Sequence, residues 1–137
     1  MIYLNYSNLG GFFKENIMLK EKESFRLLYQ AIRELADKIG DNQIETNSVS
    51  LLLLDFDFEH DVFDKLYLAI LKYLNTVSIE DINHSELLDL IANTIPEDRE
   101  INTFVKNKII IGFANNYFPE LQVLANDIKS DMGNLLS

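Results

Sequence analysis

Five stretches of the chain return an apolar side chain at every third or fourth residue, and that spacing commits most of the molecule to amphipathic helices. The first, from Glu21 to Ile39, places Phe25, Leu28, Ile32, Leu35, Ala36 and Ile39 on one stripe, and Gly40 follows as a left-handed stop. The second runs from Glu59 to Leu74 through Val62, Phe63, Leu66, Tyr67, Ile70, Leu71 and Leu74. Ser85 precedes a third apolar run that must end at Pro96. Pro96-Glu97-Asp98-Arg99-Glu100 reads as the first turn of a fourth helix, because proline is tolerated there and acids complement the positive helix end. Ile101, Phe104, Val105, Ile109, Phe113 and Tyr117 continue it to Pro119. Leu121, Leu124, Ala125, Ile128 and Met132 mark a last helix, with Gly133 as its stop.

Val49 to Phe58 has no such period. Leu51 to Leu54 is continuous, and Asp55-Phe56-Asp57-Phe58 alternates like a strand. A short buried helix, capped at Asn47 or Ser48, is the preferred reading. A minor two-stranded element with Ile2 to Tyr6 is the alternative. The expected fold is all-α, a compact bundle of five or six helices. It forms one domain over residues 1–137, with no low-complexity linker and no repeat to suggest a solenoid.

No run approaches the roughly 18 apolar residues that a membrane span requires, and the amino terminus lacks the pattern of an export signal. The absence of cysteine suits a reducing compartment, so the expected location is cytoplasmic, without membrane association. A net charge of -10 opposes contact with phosphate backbones, so no direct nucleic-acid binding is expected. The charge is uneven. Residues 1–40 hold six basic and five acidic side chains, residues 41–100 hold three and fourteen, and residues 101–137 hold three and three. A concentrated acidic block can steer a basic partner through its summed field.

The densest chemistry lies in Asp55, Phe56, Asp57, Phe58, Glu59, His60, Asp61, Phe63, Asp64 and Tyr67. A calcium loop starting at Asp55 would need glycine and glutamate where His60 and Leu66 stand. His60 with Asp64 is an incomplete set for a transition metal. No nucleophile setting or histidine-based triad assembles, so no enzyme, metal or cofactor is expected. His84, beside Ser85, reads as a solvent-exposed residue at a helix start. Within the acidic segment the rings can be core and the acids a solvated face, or acids and one or two rings can form an epitope. The candidate partner-binding residues are Asp55, Phe56, Asp57, Phe58, Glu59, Asp61, Asp64 and Tyr67, with Phe56 or Phe58 as anchor.

Size, acidity and the lack of a catalytic set make the chain similar in general class to bacterial immunity proteins and phage-encoded anti-defence inhibitors, although no motif identifies one family. The functional expectation is a small acidic inhibitor that docks on and neutralises a basic protein, such as a toxin nuclease. The alternative is a helical structural subunit or adaptor, in which Leu51 to Leu54 and Ile109 to Ile111 would be interface, with homo-oligomer formation left open.

Overall fold

The computed structural model describes the backbone of residues 11–136 and the side chains of residues 20–135. Six α-helices follow one another: α1 (Gly11–Lys38), α2 (Val49–Asp55), α3 (His60–Thr76), α4 (His84–Thr94), α5 (Thr103–Asn116) and α6 (Gln122–Leu136). The all-α expectation holds. Among the described residues there is no strand, and the stretch from Ile2 to Tyr6 lies outside them. By its contacts the chain divides between Leu35 and Ala36 into two units, Met1–Leu35 and Ala36–Ser137.

In the second unit the core is built around α5. Ile109, Ile110, Ile111, Gly112, Phe113 and Ala114 are buried in succession, so this helix is covered on every side. It packs against α2, α4 and α6, while α3 packs on α4. Leu51, Leu52 and Leu53 are buried with it, and only Leu54 of that run faces outward. The two apolar runs expected to serve as interface in an adaptor are therefore core, because a helix surrounded by neighbours needs no polar face.

Local chemistry explains most boundaries. Ser48 Oγ accepts the Leu51 N–H at 3.1 Å and starts α2, as expected. α4 starts one residue before Ser85, because Asn83 Oδ1 accepts the Glu86 N–H at 3.0 Å and acts as the cap. Pro96 does end α4, but the acidic residues after it form only a short 3-10 turn, Glu97–Arg99. α5 then begins at its own cap, Asn102, whose Oδ1 accepts the Val105 N–H at 2.9 Å. Gly133 lies within α6 and does not stop it. Gly40 takes the left-handed conformation expected of it, with φ +97.

The polar connection after α1 is fastened to the helices it precedes. Asn42 Oδ1 accepts from the N–H groups of Ile44 and Glu45, both at 2.8 Å, closing an Asx turn. Asn116 at the end of α5 accepts the Val49 N–H at 2.8 Å and donates to the Asn47 carbonyl at 2.9 Å, so its amide clamps the entry to α2. Glu45 receives Lys129 Nζ of α6 at 3.0 Å and the Asn115 amide at 2.6 Å.

Candidate binding surface

The α2–α3 connection decides how the acidic segment is displayed. The Phe58 N–H donates to Leu53 O and the Asp57 N–H to Leu54 O, both at 3.0 Å. This is the paired closure of a Schellman turn, which requires a left-handed residue. That residue is Asp57, the only non-glycine with positive φ among the described residues (φ 59). The turn reverses the side-chain directions expected from strand-like alternation. Phe58 folds inward and is 9% exposed, whereas Phe56 is 39% exposed. Of the two candidate anchors, Phe56 is the one displayed, and Phe58 is a core residue. Glycine avoids the steric cost that Asp57 bears. Asp57→Gly is therefore expected to raise stability by about 0.5–1 kcal/mol, read as a higher urea midpoint at unchanged slope.

Arg99 joins this turn to a distant stretch. Its guanidinium donates to the Phe56 carbonyl and lies 4.9 Å from the centroid of the Phe58 ring. The contact sets Glu97, Asp98 and Glu100 beside Asp55, Asp57 and Glu59, and all six acids are exposed. Arg99 is the only lysine or arginine in residues 55–64 and 96–100. A groove of about 250 Å³ adjoins this end, with Ile95, Pro96, Ile101 and Lys106 in its wall beside Glu97 and Glu100.

The remaining predicted site residues divide. Asp61 and Asp64 are exposed on α3, but each has a basic neighbour one turn on or back: Asp61 meets Lys65 Nζ at 3.5 Å, and Asp64 meets His60 Nδ1 at 3.3 Å. Asp61, paired with a lysine, contributes less uncompensated charge than Asp57 or Glu59. Among the described residues no group of three or more His, Asp or Glu side chains is placed to hold a metal ion. His84 is half-buried, with Nε2 2.7 Å from Asn107 Oδ1, so its expected solvent role gives way to a contact with α5.

Tyr67 is half-buried in a cluster of rings. Its centroid lies 5.0 Å from that of Phe118 and 5.6 Å from that of Tyr117, the latter edge-on. Phe63 stacks on Phe113 at 5.8 Å and meets Tyr117 at 5.5 Å. Tyr117 is itself exposed, so it carries this cluster to the surface beside α3. Two contributors escaped the sequence reading, Tyr117 and the Glu97 to Glu100 turn. Each lies tens of residues from the acidic segment, and only packing brings it there.

Comparison with protein-family models, with curated proteins and with solved structures finds no match. Among the described residues no helix is long and apolar enough to cross a membrane.

Proposed function

We propose that the chain is a non-catalytic, protein-binding inhibitor whose acidic end docks on a basic protein and blocks it, in the manner of an immunity protein or a phage anti-defence inhibitor. The observation that carries this reading is the convergence of the Asp55 to Glu59 turn with the Glu97 to Glu100 turn around Arg99, with the Phe56 ring exposed among them. Carboxylates of one sign steer an oppositely charged surface into encounter, and a partly exposed aromatic ring supplies the desolvated anchor that charge alone does not. The basic functional surface of a nuclease has the complementary charge.

The test combines charge reversal with capture. Glu59→Lys, Glu97→Lys, Asp98→Lys and Glu100→Lys together change four exposed side chains. Tagged wild-type protein is expected to retain a basic protein from its native lysate at low salt and release it at high salt. The purified partner should lose activity when the wild type is added. The reversed variant, folded by circular dichroism, should bind at least ~100-fold more weakly, chiefly through slower association. Equal binding by the two forms would place the epitope elsewhere. A partner whose activity survives saturation would remove the inhibitor reading.

The alternative reading, an adaptor or subunit of a larger assembly, keeps one favourable observation. It is the apolar stripe of α1, since Leu51 to Leu53 and Ile109 to Ile111 are core.

A further inference from the structure

The groove at the second acidic turn joins an apolar wall to charge. Ile95, Pro96 and Ile101 line it, and Ile95 is only 5% exposed, so the core fixes that wall in place. Glu97 and Glu100 stand three residues apart across the 3-10 turn Glu97–Arg99, where side chains at that spacing eclipse, and both line the groove. Lys106 reaches it from α5. Two carboxylates therefore face one ammonium along an apolar surface.

We infer that this groove receives one arginine side chain of the basic partner, its aliphatic stem on Ile95, Pro96 and Ile101 and its guanidinium between Glu97 and Glu100. The owner of that arginine rests on the inhibitor reading, whereas the chemistry of the occupant rests on the groove itself. Size sets the first limit. About 250 Å³ is below the roughly 300–1,000 Å³ that holds a drug-sized molecule, and it suits a single long side chain.

Charge sets the second. An apolar side chain would strip water from two carboxylates and give them no partner in return. An anion would meet both as like charges, with only Lys106 in its favour. Lysine has the right sign, but its ammonium is compact and strongly hydrated. A planar guanidinium is more weakly hydrated and donates in a fork that matches carboxylates. The arginine stem also covers apolar surface while its head stays at the polar edge. Arginine held in this way is among the residues that dominate interface energies, so the groove adds a second anchor to Phe56.

The first test needs no natural partner. A blocked tripeptide with arginine between two glycines is titrated into the full chain, with the isoleucine methyl groups followed by NMR. Saturable shifts at Ile95 and Ile101 are expected, with a Kd of roughly 1–10 mM for one side chain. The citrulline peptide, which keeps the shape and loses the charge, should bind at least ~5-fold more weakly. Glu97→Gln with Glu100→Gln should weaken the arginine peptide by a similar factor, and Lys106→Met should tighten it about 2-fold. Ala92→Phe fills the groove, changes no charge and should remove the saturable shifts. No saturable shift in the wild type overturns the proposal, as does equal binding of the citrulline peptide or an unaffected Ala92→Phe variant. Weaker binding by Lys106→Met would assign the groove to an anion and overturn it too. The inhibitor reading fails separately. With a captured basic partner, Ala92→Phe should speed dissociation at least ~10-fold and leave association unchanged, because the steering charges remain. Capture and inhibition indifferent to Ala92→Phe would remove the arginine from the groove and keep the inhibitor. Peptide binding without any captured partner would keep the groove's preference and remove the inhibitor.

Discussion

Phe113→Ala is expected to cost about 3–5 kcal/mol, the range for emptying a fully buried aromatic site. Phe113 is 0% exposed and lies where three of its ring contacts converge: Phe63 at 5.8 Å, Phe118 at 5.9 Å and Tyr117 at 6.1 Å. Phe63 sits on α3, and Tyr117 and Phe118 follow the end of α5, so closing the space left by the ring would have to move α3 or the turn after α5. Such a loss is a large part of the 5–15 kcal/mol that holds a domain of this size folded. Chemical denaturation should show it directly. Phe113→Leu, which refills most of the volume, should restore more than half of the loss. Recovery of full stability by leucine would mean that volume alone matters and that the ring geometry contributes nothing. The chain has no tryptophan, so its near-ultraviolet dichroism comes from tyrosine and phenylalanine and should weaken in the alanine variant even where it is folded. The substitution also reaches the proposed binding surface, since Phe63 and Tyr67 support the first two turns of α3, which carry Asp61 and Asp64.

The parts of this fold that could be read from the sequence are those with two unlike faces. α3, α4 and α6 each bury one side, so their apolar residues recur with the helical period and their extents follow. The second half of α5, Ile109 to Ala114, and the start of α2 are apolar on all sides, and there periodicity has nothing to contrast. The helix that holds α5 was legible from the spaced residues Ile101 to Tyr117 between two prolines, and α2 from its cap, but their central position was not. The 96–100 stretch failed for another reason. Proline and acids suit a first helical turn, but Asn102 offers a stronger cap six residues later, and the earlier start loses to it. α1 shows the reverse difficulty. Its period matches that of α3, and the pattern reveals an apolar face without revealing what covers it. The candidate site was half legible. Composition located the acids, but which phenylalanine points outward depends on one left-handed residue, Asp57, and the second acidic turn arrives only through Arg99. Neither long-range contact leaves a local mark.

Gly112→Ala tests the tightest approach in the second unit. A Cβ added at Gly112 would lie 2.8 Å from Val49 Cβ, 3.0 Å from Thr46 Cγ2 and 3.1 Å from Val49 Cα. Val49 Cβ and Cα are fixed to the backbone of α2, so no rotation of a side chain relieves those two contacts, and α2 and α5 must separate. Separation is opposed by Asn116 on the next turn of α5, whose amide holds the Val49 N–H and the Asn47 carbonyl. It would also disturb the carbonyl of Thr46, which accepts from Asn115 at 2.8 Å. Alanine gains about 0.5–1 kcal/mol over glycine in a helix interior, and overpacking of this kind costs about 1–3 kcal/mol or more. A net loss of about 2 kcal/mol follows, a fall of roughly 5–10 °C in melting temperature for a chain of this length. The cause can be separated from the loss of a generic small residue by a double-mutant cycle. Val49→Ala keeps the offending Cβ and should leave the Gly112→Ala penalty almost whole, whereas Val49→Gly removes it and should recover about half. Equal coupling from both substitutions would show that the glycine serves something other than the contact between these two helices.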